Sequence, residues 1–135
     1  MSEESRYTYI AGTTPYVEEG EYNFIVAKAT EKESEKGNAM IELQLQIETD
    51  DDDGLLVFDY LVFTRRLYAH IDDFWESTGD VIKKGEKVTL EAEDCQDRRG
   101  RVRLYVEEYQ DKLSNKVKKY LKPGSGSLKD SSQPF

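Results

Sequence analysis

The chain has 135 residues, a formal net charge of −9, 35% charged residues and one cysteine, which fits a single small domain with one modest core. No apolar run approaches the roughly 20 residues of a membrane helix, the start Met1-Ser2-Glu3-Glu4-Ser5 is unlike a signal peptide, and a lone Cys95 excludes an internal disulfide. A soluble protein of the reducing cytosol is expected, with Cys95 an inert small residue at a strand end.

Residues 1–16 carry no periodic apolar pattern and are expected to form a flexible N-terminal arm. From Tyr22 to Thr30 the chain is apolar on both faces and rich in aromatic and branched residues, the composition of a strand covered on both sides. A charged turn follows, Glu31 to Asn38, where Gly37-Asn38 supplies the backbone freedom for a tight return. The next run, Ile41 to Glu48, alternates apolar and polar without a break, a half-buried strand with four aliphatics on one face. Asp50 to Asp53 then form an acidic hairpin tip ending in Gly54. Leu55 to Phe63 again reads as a strand covered on both faces, so Tyr22, Phe24, Phe58 and Phe63 are expected in the core.

Residues 64–79 place Leu67, Ile71, Phe74, Trp75 and Thr78 at helical spacing, with Thr64 as N-cap and Gly79 as terminator. Arg65 and Arg66 oppose the helix dipole in the first turn. Either this conflict marks function, or the helix begins near His70 and the two arginines belong to the preceding turn. Two further alternating runs, Lys87 to Glu93 and Arg101 to Glu107, are expected as fourth and fifth strands with one wet face each. Leu113, Val117 and Leu121 recur every four residues among lysines, which suggests a short basic amphipathic helix. Residues 123–135 are linker-like and are expected to be a flexible tail.

The order strand, strand, strand, helix, strand, strand over residues 17–122 is that of a mainly β OB-fold, a five-stranded barrel with one helix between strands 3 and 4, here with a possible short C-terminal helix. Such barrels commonly bind oligonucleotides or oligosaccharides across strands 2 and 3 and two flanking loops. Charge is unevenly spread. Residues 1–60 hold 15 acids and 4 bases, whereas residues 96–122 hold 9 bases and 4 acids. Arg98 and Arg99 in the loop before the last strand, then Arg101, Arg103 and Tyr105 at period two on its wet face, combine guanidinium forks for phosphate with an aromatic platform for bases. The competing reading is a charged face that protects an edge strand. Lys28, Lys32 and Lys36 flank the first turn within reach of a phosphate, Arg65 and Arg66 add two more cations, and Tyr60 is the preferred surface aromatic because its phenol needs a partner or water.

Catalysis finds little support. The chain has one histidine, no Cys-x-x-Cys pair, no Gly-Lys-Ser/Thr phosphate loop and no nucleophile elbow, and consecutive acids at a hairpin tip diverge rather than converge on a metal. No enzyme, metal or cofactor is expected.

Three stretches, Gly20-Glu21-Tyr22-Asn23-Phe24-Ile25-Val26, Lys36-Gly37-Asn38-Ala39-Met40-Ile41-Glu42-Leu43 and Asp59-Tyr60-Leu61-Val62, lead to a helix ending at Thr78-Gly79. Together they resemble phage-encoded OB-fold proteins, including a group long filed as a domain of unknown function and regarded as single-stranded-DNA-binding proteins of phage replication or recombination modules. The resemblance covers roughly residues 17–122. It implies non-catalytic, sequence-tolerant binding of single strands in the cytoplasm of a phage-infected bacterium, by what is expected to be a homo-oligomer. The ending Pro134-Phe135 resembles the partner-recruiting terminus of bacterial single-stranded-DNA-binding proteins, although Lys129 to Gln133 hold only one acid. That resemblance implies replication or recombination proteins as partners. The alternative is a protein-interaction adaptor, or an acidic DNA mimic that presents the negative half of the chain to a basic partner.

Overall fold

In a computed structural model, the described residues are 11, 15–50 and 54–123. They form five strands and two helices: β1 (Gly20–Glu33), β2 (Ala39–Ile47), β3 (Leu55–Val62), α1 (Tyr68–Ser77), α2 (Ala92–Cys95), β4 (Arg99–Tyr109) and β5 (Lys112–Leu121). All pairings are antiparallel, in the order β3-β2-β1-β4-β5. The protein is therefore mainly β, with its principal helix between β3 and β4. The acids Asp51 to Asp53 and the ending Pro134-Phe135 lie outside the described residues.

β1 holds the sheet together because it serves two partners along its length. Its first part, from Gly20 to Ile25, pairs with β4, and residues 24–33 pair with β2 across a bulge between Val26 and Lys28. Gln96 stitches that bulge: its amide nitrogen donates to the Ala27 carbonyl at 2.8 Å, and its oxygen accepts from the Ala29 N–H at 3.2 Å. Backbone groups left unpaired by an irregular strand are thereby satisfied.

The inner face is the apolar half of each alternation. Phe24 and Val26, Leu43 and Leu45, Val57 and Leu61, and Val102 and Leu104 pack against Phe74 and Trp75 of α1, and all are buried. Phe24, Phe74 and Tyr120 form an aromatic cluster with centroids 5.3–6.3 Å apart, within the range of favourable ring pairs. Gly100 is required where α1 ends against β4, because a Cβ there would lie 2.8 Å from the Ser77 carbonyl oxygen and 3.0 Å from the Phe24 ring.

Four expectations are corrected. Residues 87–93 form no strand. They belong to an irregular exposed segment that leads into α2, whose start is closed by a reciprocal capping box between Glu91 and Asp94. The segment pairs with none of the five strands, and where it reaches β1 the Ala92 N–H is taken by the Glu31 side chain at 3.1 Å and not by a backbone carbonyl. The basic helix over 113–121 is instead β5, joined to β4 by a two-residue turn in which Gln110 and Asp111 have φ of +51° and +65°. Both positive angles are what a tight hairpin turn of right-handed twist requires. A register shift sets Arg103 opposite Lys119 and Leu104 opposite Val117, so Lys118 is an extra residue and the inward positions fall at Asn115, Val117 and Tyr120. That broken alternation is what mimics helical spacing.

The helix also starts later than its apolar pattern. Arg65–Leu67 form a 3-10 turn and α1 begins at Tyr68, so the two arginines precede the helix and Thr64 does not cap it; the Thr64 hydroxyl has no hydrogen-bond partner. Gly79, at φ +107°, does terminate it, with its N–H on the Glu76 carbonyl. Finally, neither β1 nor β3 is covered on both faces, and on β1 Asn23, Ala27 and Lys28 are exposed. Leu56, Phe58 and Tyr60 remain 45%, 42% and 42% exposed.

Candidate nucleic-acid interface

Register aligns the outward side chains into rows across the sheet. Leu56, Gln46, Ile25 and Arg99 are successive partners on β3, β2, β1 and β4. The next rows are Phe58, Gln44 and Lys28, then Tyr60, Glu42 and Thr30, then Val62, Met40 and Lys32. With strands about 4.8 Å apart, the first row spans roughly 14 Å from aliphatic to arginine. One edge is an apolar and aromatic ladder with steps of about 7 Å, the middle offers two amides, and the far side is basic.

The second half of the face is the arginine stripe. Arg99, Arg101 and Arg103 alternate outward along β4 opposite Ile25, Asn23 and Glu21, and Tyr105 continues the alternation opposite Lys116 of β5. Arg101 meets Glu21 at 3.2 Å and the Asn23 side chain at 3.5 Å. Arg103 meets Glu19 at 3.5 Å and Glu21 at 3.7 Å. Arg99 is exposed beside Ile25. On β2, Glu42 accepts from the Tyr60 hydroxyl at 3.2 Å and pairs with Lys32 at 3.0 Å. Partial burial, with the Glu42 charge in support, raises the Tyr60 phenol above its ordinary range and keeps it a neutral donor.

Not every sequence-predicted residue joins this surface. Arg98 turns towards α1: its guanidinium lies 3.7 Å over the Trp75 ring, pairs with Asp80 at 2.7 Å, and donates to the Thr78 hydroxyl at 2.9 Å and the Asp94 carbonyl at 2.7 Å. Lys28 and Lys32 stand on the outer face of β1, Lys36 in the β1–β2 turn, and Arg65 and Arg66 on the 3-10 turn after β3. Sequence reasoning missed Leu56 and Phe58, which it placed in the core. The signal that finds them is the β2 alternation, because once the hairpin sets register, polar Gln46 and Gln44 must share a face with Leu56 and Phe58.

Beneath the platform lies a second polar cluster. Asp59 points inward between Phe58 and Tyr60, and one of its oxygens accepts from the Tyr120 hydroxyl at 2.6 Å and contacts His70 Nε2 at 2.7 Å. This couples β3, β5 and α1. The hydrogen bond to Asp59 raises the His70 pKa above 6.5, against the lowering effect of burial, and burial raises Tyr120 well above its ordinary value. Cys95 is buried, its thiol pushed up to about 11 by desolvation, and so is unreactive. Among the described residues no group of His, Cys, Asp or Glu is placed to hold a metal ion, and no helix is long and apolar enough to cross a membrane. Neither a protein-family model nor a curated protein sequence matches this chain.

Proposed function

We propose that the chain is a non-enzymatic OB-fold single-stranded-DNA-binding protein of a phage replication or recombination module, which lays a strand across the outer face of β1 to β4. The barrel reading rests on strand order, since β3 and β5 are the two sheet edges and Asp59 and Tyr120 join them through one hydrogen bond. The observation that carries the binding reading is the exposed ladder Leu56, Phe58 and Tyr60, facing the basic side of the same surface. Rings stack on bases of any identity, and arginine and lysine track the backbone. Apolar side chains exposed in register on a strand otherwise carry an aggregation hazard, so a ligand that covers them accounts for their presence.

The test is fluorescence anisotropy of labelled oligo-dT at two salt concentrations, for the wild-type chain and for Phe58→Ala/Tyr60→Ala. Trp75 is only 8% exposed, so the label belongs on the DNA. Salt-sensitive binding is expected, and each ring removed should cost about 1–3 kcal/mol, or roughly 5- to 150-fold in affinity. No salt-dependent binding at low ionic strength would refute the proposal. One observation favours a second reading, a protein-interaction adaptor: Lys32, Arg101 and Arg103 are each paired with an acid of the same face, which tempers the positive potential.

A further inference from the structure

Glu21 occupies a particular position in the arginine stripe. Its two carboxylate oxygens are divided between two guanidinium groups, Oε1 on Arg101 at 3.2 Å and Oε2 on Arg103 at 3.7 Å. Glu19, one step along, places a single oxygen between two cations, with Oε2 at 3.5 Å from Arg103 and 3.6 Å from Lys118 Nζ. The pairing is set by register, because Glu21 and Arg103 are direct cross-strand partners and Asn23 and Arg101 are the next. Yet it is incomplete. Arg101 Nε is buried and has no hydrogen-bond partner. An anion with two oxygens straddling two arginines is the geometry in which a phosphate of a nucleic-acid backbone would sit.

We propose that Glu19 and Glu21 are built-in phosphate surrogates, holding the arginine stripe in register in the free protein and leaving it when a strand binds. The inference rests on the single-strand-binding reading above and adds its affinity-setting residues. Binding at β4 is then an exchange of carboxylate for phosphate. The carboxylates, freed into water, regain solvent and counterions, so part of the phosphate attraction is spent in displacing them. A basic stripe held this way does not collapse onto adventitious acidic surfaces, and it yields only to a polyanion that supplies several phosphates at once. This also accounts for an acidic protein having its arginines and its acids on the same face. All the partners are at least 30% exposed at the side chain, so each pair is weak and exchangeable on its own.

The experiment measures the affinity of labelled oligo-dT at low and moderate salt for the wild-type chain, for Glu19→Gln/Glu21→Gln, and for Glu93→Gln/Glu108→Gln, two exposed acids outside the arginine stripe, as a control for total charge. Glutamine keeps the size and removes the charge. An exposed ion pair accounts for roughly 1.5- to 5-fold in an equilibrium constant and the double variant removes four of them, so it should bind at least about fivefold tighter, and the control should change less than about twofold. The advantage should shrink as salt rises. Equal affinity in the double variant and the control would overturn the inference while leaving single-strand binding intact. Failure of the wild-type chain to bind at low salt would overturn both readings, whatever the variants do.

Discussion

Tyr120→Phe tests the polar cluster that joins the two edge strands. Tyr120 is 1% exposed, its ring packs on Phe24 and Phe74, and its hydroxyl donates to Asp59 at 2.6 Å. Phenylalanine fills the same volume and keeps both ring contacts, so the loss isolates one hydrogen bond to a carboxylate. Such bonds contribute about 1.5–3 kcal/mol, and the Asp59 oxygen would be left with His70 as its partner. For a domain of this size each kcal/mol moves Tm by about 4 °C, which gives a fall of roughly 6–12 °C. Urea denaturation at pH 7 reads the free energy and calorimetry the midpoint. Tyr60→Phe is the contrast, since the Tyr60 ring is 42% exposed and Glu42 keeps Lys32 as a partner, so removal of the hydroxyl should cost under about 0.5 kcal/mol. If Tyr120→Phe is no more costly than Tyr60→Phe, the Asp59 cluster does not hold β3 to β5.

The parts of the fold legible in the sequence are those where one face differs from the other. Ile41 to Ile47 alternates strictly and β2 follows it, and Val102 and Leu104 lie where the period-two pattern sets them. Alternation reports a preference for two faces, however, and does not report whether an edge is available. Lys87 to Glu93 has the pattern and yet joins none of the five strands. β5 has the neighbour, but its extra residue at Lys118 breaks the pattern. The site was half legible for a related reason. Arg101, Arg103 and Tyr105 share a face because period two requires it, and the structure places them so. Arg98 sits outside that period and is drawn off by Trp75 and Asp80, partners that only the tertiary fold supplies. On β3 both faces are apolar, so nothing in the strand itself says that Phe58 is the exposed ring and Val57 the buried one. The Asp59–His70–Tyr120 cluster draws on three elements, and Tyr120 sat in a segment whose spacing resembles a helix.

Three other outcomes are expected. Because the folded pKa of His70 is raised by Asp59, the pair stabilises the protein fully below pH 6.5 and loses that contribution as pH rises through the raised value. His70 faces Asp59 of β3, Asp73 of its own helix and the Tyr120 ring of β5; urea midpoints from pH 5.5 to 9 should therefore decline in the wild type, and a profile unchanged in His70→Gln would refute the assignment. Gly100→Ala should destabilise by about 1–3 kcal/mol through overpacking against the Ser77 carbonyl, read by the same denaturation, and a neutral result would mean that α1 shifts freely from β4. The last comparison separates a structural arginine from one proposed to bind, one residue apart. Arg98→Ala removes a ring contact and an ion pair and should cost about 1–2 kcal/mol of stability with an unchanged salt slope for oligo-dT. Arg99→Ala, on the exposed face, should leave stability within about 0.5 kcal/mol and flatten that slope by about 0.7, the share of one phosphate contact. Both variants losing affinity equally, with no difference in stability, would mean that the two arginines act together and that the face drawn through Arg99 is the wrong boundary of the interface.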